Sequence, residues 1–124
     1  MHDSGIVVIM PGDIFPTRVE IEWIMTDSEN IEIIVNKDLR GFEKKVANLL
    51  SAPTVVRRPL DEMNSKLWIL MDGTRTLGQI IFEMDHFFEE KIAPASERVS
   101  RSIAKFVELG FITLNRERFE DESE

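Results

Sequence analysis

Between Arg58 and Leu114 the apolar residues recur three times at helical spacing, and each time a stop signal ends the run. Asp61 suits the N-cap of a first helix whose stripe is Met63, Leu67, Leu70 and Met71. Asp72-Gly73 ends that helix, with Gly73 free to take the left-handed conformation. Thr76 and Gln79 have capping-box spacing and open a second helix with Leu77, Ile80, Ile81, Met84, Phe87 and Phe88 on its core face. Phe82 falls well off that face and marks a contact surface or a cover for the sheet. Pro94 begins a third helix with Ala95, Val99, Ile103, Phe106 and Val107 inward, and Gly110 ends it. Phe111, Ile112 and Leu114 then form a short closing strand. None of these helices can bury its stripe alone. The pattern predicts an α+β winged helix-turn-helix domain: N-terminal β-strands, three helices, and a short C-terminal strand as the wing.

Upstream, Val19 to Met25 alternates, with Val19, Ile21, Trp23 and Met25 on one face. Asp27-Ser28-Glu29-Asn30 is a turn cluster, and Ile31 to Val35 is a second strand, so the two predict a hairpin. Leu39 to Leu50 changes to helical period, and Ser51-Ala52-Pro53 ends it. Thr54 to Arg58 is extended and β-branched, and Pro59 confines it to a sheet edge or a strand end. An open edge is where another chain can add a strand. The expected organisation is an N-terminal arm over residues 1–14, one domain over 15–116, and an acidic tail over 117–124.

Composition narrows the chemistry. The chain has no cysteine, which excludes disulfides, thiolate nucleophiles and cysteine zinc sites. No apolar run reaches the length of a membrane span. Gly5 to Met10 is short and follows Asp3 rather than a basic residue, so no signal peptide and a cytoplasmic location are expected. A net charge of -8 disfavours non-specific binding to nucleic acid or anionic lipid.

Against that negative background the third helix carries Arg98, Arg101 and Lys105 on one side, with Ser102 between them and the apolar stripe. Arg57 and Arg58 add charge on the preceding strand. Together they suit a peptide with carboxylates or a phosphate backbone. The ordinary alternative is a solvated face in which Glu97 and Arg101 form an i,i+4 pair. His86, with Glu83, Glu89 and Glu90 at neighbouring helical positions, reads as a hydrated acidic face rather than a metal site. Asp61, Glu62, Asp72 and Asp85 are candidate catalytic carboxylates only by residue type, since capping and helix termination explain Asp61 and Asp72. There is no Gly-rich phosphate loop, and no Ser or Thr has a His base nearby in sequence. Trp23 and Trp68 read as packing residues, Trp68 near the edge of its stripe. No enzyme activity, cofactor or metal is expected.

The run Leu60-Asp61-Glu62-Met63-Asn64-Ser65-Lys66-Leu67-Trp68, followed by Met71-Asp72-Gly73-Thr74-Arg75-Thr76-Leu77-Gly78-Gln79-Ile80, resembles the PqqD family (pyrroloquinoline quinone synthesis protein D). Phe87-Phe88, Pro94, Arg98-Val99 and Gly110-Phe111-Ile112-Thr113-Leu114 continue the resemblance in order, over about half the chain. Asn64 stands where larger members of the family often have Gly, and short members lack a counterpart of Leu39 to Leu50. The resemblance implies a non-catalytic peptide chaperone, a recognition element for ribosomally made and modified peptides, including those of cofactor biosynthesis. Such a protein binds the leader of a precursor peptide as an added strand and presents it to a modifying enzyme, often a radical S-adenosylmethionine protein. Carried over here, the strand is Thr54 to Arg58 and the other wall is the helix Pro94 to Leu109. The expected peptide-binding residues are Val55, Val56, Arg57, Arg58, Arg98, Val99, Arg101, Ser102 and Lys105. Two other readings remain open: a winged-helix DNA-binding regulator, and a structural homodimerisation module using Phe82 and the free strand edge.

Overall fold

A computed structural model describes residues 10–36 and 55–120. The expected arm up to residue 9 and the expected helix Leu39–Leu50 lie outside the described residues, as do Thr54 and the last four positions. The architecture is α+β, with N-terminal strands, three helices and a C-terminal strand. The chain divides into two compact units, Met1–Val19 with Glu62–Glu124, and Glu20–Asp61.

In the larger unit, β1 (Phe15–Arg18) pairs antiparallel with β5 (Ile112–Asn115), Phe15 opposite Asn115 and Arg18 opposite Ile112. Between them in sequence come α1 (Glu62–Leu70), α2 (Leu77–Phe88), a 3₁₀ turn (Glu89–Ile92) and α3 (Ala95–Glu108). Strand β1 is absent from the sequence reading because Pro16 masks it. Proline is tolerated here because a two-stranded sheet consists only of edges. Val19 does not continue into the hairpin strand; its N–H donates to Phe111 O at 2.9 Å, extending the β1–β5 alignment.

The helix ends follow from local chemistry. Asp61 stands immediately before α1. At α2 all four leading N–H groups are satisfied: Leu77 donates to Ile14 O, Gly78 to Gly12 O, Gln79 to Thr76 Oγ1 and Ile80 to Thr76 O. The Gln79 side chain accepts in return from Thr76 N–H, completing the capping box. Pro94 is the N-cap of α3 rather than its first helical residue. Gly110, at φ +80°, closes α3: its N–H bonds Val107 O and the Phe111 N–H bonds Phe106 O, both bonds of a Schellman motif.

The core of this unit is Leu67, Trp68, Leu70 and Met71, then Leu77, Ile80, Met84 and Phe88, then Val99, Ile103 and Phe106, closed by Phe111 and Ile112. Of the expected helix core residues, Met63 and Ile81 are only half-buried, and two are exposed. Phe87 is 57% exposed and Val107 is also exposed. Each lies at the border of its helix's apolar arc, where the more central neighbours, Phe88 and Phe106, fill the interior. The Phe87 ring lies edge-on to Phe88 and beneath the Lys66 ammonium, 4.5 Å from its centroid.

The smaller unit is a three-stranded antiparallel sheet in the order β2 (Glu22–Met25), β3 (Ile31–Asn36), β4 (Val55–Pro59). Strand β2 is shorter than its alternation suggested, and Met25 is 55% exposed. The turn is held by Thr26 N–H to Asn30 O and Glu29 N–H to Thr26 O, with Glu29 itself at φ +67°. Ile31 and Ile33 are buried on one face of β3, the face shared by their register partners Met25, Trp23 and Arg58.

Gly73 and Gly110 both have positive φ, but only Gly73 is crowded. A Cβ there would lie 2.7 Å from Phe119 Cβ and 3.0 and 3.1 Å from side-chain atoms of Thr17, all tighter than ordinary van der Waals contact, whereas one at Gly110 meets nothing within 4 Å. Gly110→Ala is expected to lose about 1 kcal/mol, the conformational term alone, and Gly73→Ala distinctly more. Urea unfolding of the two variants tests this, and an equal or reversed order would contradict it.

Candidate functional site

In the smaller unit the candidate residues lie on the edge strand β4. Its register opposes Val55 to Asn36, Val56 to Val35, Arg57 to Ile34, Arg58 to Ile33 and Pro59 to Glu32. Continued by one residue, the register sets Leu60 opposite Ile31, and Leu60 N–H donates to Ile31 O at 2.8 Å. In an antiparallel ladder, bonded and non-bonded pairs alternate. Arg58 and Val56 therefore direct their main-chain groups toward β3. Val55, Arg57 and Pro59 direct theirs to the outer edge. Pro59 has no N–H, so the outward donors are Val55 and Arg57. Among the described residues no strand pairs with that outer edge.

The side chains alternate as well. Val56 and Arg58 share a face with Ile33 and Val35, while Val55 and Arg57 share the opposite face with Glu32, Ile34 and Asn36. Arg57 Nη1 bonds Glu32 Oε1 at 3.1 Å on that second face. The two arginines thus serve different faces of the sheet. All five residues of β4 are exposed, Val55 at 41% and Val56 at 39%.

In the larger unit the candidate residues lie on α3. Arg98, Arg101 and Lys105 are exposed along one side, and Ser102 is half-buried between them and the core. Val99 is fully buried in the core arc and presents no side chain to the surface. Arg101 Nη2 bonds Glu97 Oε2 at 3.0 Å, and Lys105 Nζ lies 3.6 Å from Glu108 Oε1. These pairs are exposed and worth little energetically, but they reduce the local positive field. The four strand residues belong to the smaller unit and the five helix residues to the larger.

The other candidates have structural occupations. Asp72 Oδ1 accepts from Thr74 N–H at 2.9 Å and from Thr74 Oγ1 at 2.6 Å, while Oδ2 accepts from Arg75 Nη1 at 3.2 Å. Arg75 also donates to Glu83 Oε2 at 3.2 Å, tying the loop to α2. Burial raises the Asp72 carboxyl, but the bonds from the Thr74 hydroxyl and N–H, with the charges of Arg75 and Arg18, outweigh it and leave the group below its usual value. Burial lowers the Arg18 guanidinium, and Asp72 partly offsets this. Arg18 Nη1 donates to the carbonyls of Trp68 and Ile69 at 2.7 and 3.1 Å, a role that the sequence reading missed because β1 itself was hidden. His86 lies parallel to Phe82, ring centroids 6.4 Å apart. Among the described residues no group of three or more His, Cys, Asp or Glu side chains is placed to hold a metal. No helix among them is long and apolar enough to cross a membrane.

Compared with known proteins, the chain matches no family model, no curated protein and no solved structure.

Two outcomes are expected. Because folding lowers the Asp72 pKa, its charge stabilises the fold above the unfolded value, about 3.9, and that contribution is lost as pH falls through the folded value. Asp72→Asn should therefore cost about 1 kcal/mol or less near pH 7, given the exposure of the pair, and the gap should close below about pH 4. A gap that widens on acidification in pH-dependent unfolding would contradict this. In amide hydrogen exchange, Val56 and Arg58 should be protected relative to Val55 and Arg57, and the opposite parity would overturn the edge assignment.

Proposed function

We propose that this chain is a non-catalytic peptide-binding adaptor of the PqqD kind, a winged helix-turn-helix domain that takes a precursor peptide as a strand added to β4 and presents it to a modifying enzyme. The observation that carries the reading is the outer edge of β4, where Val55 and Arg57 direct main-chain donors away from β3. Main-chain bonds of this kind give affinity with little demand on sequence, and alternate side chains supply selection. Arg57 and Arg58, on opposite faces, favour a leader with carboxylates at neighbouring positions. Arg98, Arg101 and Lys105 are the second selecting set, with Ser102 at their border, and Val99 supports them from the core. The modifying enzyme implied by the resemblance is of the radical S-adenosylmethionine type.

The DNA-binding reading is the weaker one. The net charge is -8, and Arg101 and Lys105 already have acidic neighbours on α3. A phosphate backbone would need these cations along its length, whereas strand addition draws its affinity from the main chain of β4.

The test uses the tagged chain incubated with an extract of its source cells, with retained short peptides identified by mass spectrometry. Arg57→Pro removes an outward N–H but no β3 ladder bond, so it should fold and lose the retained peptide, whereas Arg57→Ala should keep most of it. Reversing Arg98 and Arg101 to glutamate should weaken binding of that peptide by tenfold or more, about 1.4 kcal/mol. Retention of the peptide by a folded Arg57→Pro variant would sink the strand-addition assignment. Duplex DNA retained at low salt in place of any peptide would move the reading to the regulator.

A further inference from the structure

The outer edge of β4 is not complementary to itself. The residues that direct main-chain groups outward are Val55, Arg57 and Pro59. Two copies joined edge to edge about a two-fold axis, within the five residues of β4, set Arg57 opposite Arg57, Val55 or Pro59 and never opposite an acid. Like charges directly opposite on neighbouring strands repel, and cations and proline on an edge hinder sheets from joining. The edge therefore discriminates against a second copy and favours a different sequence.

The register says which sequence. The sheet is antiparallel throughout, and an antiparallel addition continues it with the more stable pairing. A peptide then runs from the residue opposite Pro59 to the residue opposite Val55. Pro59 has no N–H, and Leu60 turns its own back to Ile31, so the ladder ends there. The peptide residue opposite Arg57 lies on the face that carries Glu32 and Ile34. Glu32 accepts from Nη1 alone, and among the described residues Nε and Nη2 of Arg57 remain for a second carboxylate. A peptide side chain there stands one strand spacing from Arg57, about 4.8 Å, and two from Glu32, about 10 Å. The nearer charge dominates, so a carboxylate is favoured at that position and an ammonium is disfavoured. The next two peptide residues lie opposite Val56 and Val55, which are 39% and 41% exposed on opposite faces of the sheet. Aliphatic residues at those positions cover them. Resting on the strand-addition reading, we propose that β4 takes one class of peptide: an acid followed by two aliphatic residues, in that order from N- to C-terminus. Arg57 selects the first position, and Val56 and Val55 select the second and third.

The probes are three synthetic peptides capped at both ends: Thr-Thr-Glu-Val-Val-Thr, its lysine counterpart Thr-Thr-Lys-Val-Val-Thr, and the reversed Thr-Val-Val-Glu-Thr-Thr. Each is titrated into the full chain to about 5 mM, the range for weak short peptides, and read from the amide resonances of Val55 and Arg57. The glutamate peptide should bind about fivefold tighter than the lysine peptide, since an attractive cross-strand pair replaces a repulsive one, and tighter than the reversed peptide. Arg57→Gln changes an exposed side chain and leaves the main chain intact, so it should fold and erase the preference for glutamate over lysine. Peptides that shift both amides but bind equally in all three forms would overturn the proposed order and leave strand addition standing. So would a reversed peptide that binds as tightly, or a glutamate preference that survives Arg57→Gln. If no peptide shifts these amides the proposal is overturned, while the retained peptide and Arg57→Pro still decide strand addition by themselves. Shifts that grow with the concentration of the chain alone would make a second copy the occupant and likewise overturn it.

Discussion

The larger unit is organised around Trp68. Its ring is fully buried and touches Phe106 of α3 at 5.4 Å between centroids and the edge of Phe111, just before β5, at 6.4 Å. The guanidinium of Arg18, at the end of β1, lies 5.9 Å from the same ring and donates to the carbonyls of Trp68 and Ile69. One side chain thus fixes α1 against α3 and against both strands of the small sheet. Arg18 thereby adds a donor to carbonyls of the last turn of α1, where Trp68 O also accepts from Met71 N–H at 3.2 Å. The arrangement has a cost: Trp68 Nε1 is buried with no acceptor among the described residues, a loss of about 1–3 kcal/mol. Cation–π attraction, at about 0.5–2 kcal/mol, offsets part of it. The aromatic packing provides the rest.

The loop that leaves this centre is equally constrained. Met71 O accepts from Arg18 N–H, Asp72 bridges to Thr17, and Gly73 O accepts from Phe119 N–H. Asp72 turns the chain through Thr74, Arg75 fastens it to Glu83, and Thr76 starts α2. The motif Asp72-Gly73-Thr74-Arg75-Thr76, the densest part of the family resemblance, therefore works here as a folded turn. Its acid and base are engaged with each other.

The legible parts of the sequence were those with local causes. The capping box at Thr76, the left-handed glycines at 73 and 110, and the edge strand before Pro59 all follow from neighbouring residues. The hairpin of β2 and β3 followed from the alternation through Trp23 and the turn cluster after it, although Val19 belongs to the β1–β5 alignment and Met25 is exposed. The hidden parts depend on distant partners. Phe15–Arg18 is a strand because β5 pairs with it, which nothing within Phe15-Pro16-Thr17-Arg18 announces. Phe87 and Val107 fit helical periodicity, but other residues take the interior. At the candidate site, sequence spacing put Arg98, Arg101 and Lys105 on one side of α3 and left their acidic partners as the ordinary alternative. The parity of β4, which separates Arg57 from Arg58 and picks Val55 and Arg57 as outward donors, required the register with β3.

The central claim is that β4 accepts a peptide strand. The most direct measurement is nuclear magnetic resonance of the full chain bound to the peptide it retains, read for cross-strand proton contacts. The account predicts contacts from the peptide backbone to the amide protons of Val55 and Arg57, in the alternating pattern of an added strand. Contacts confined to the outer edge of β2, at Trp23 and Met25, or to α2, would contradict it.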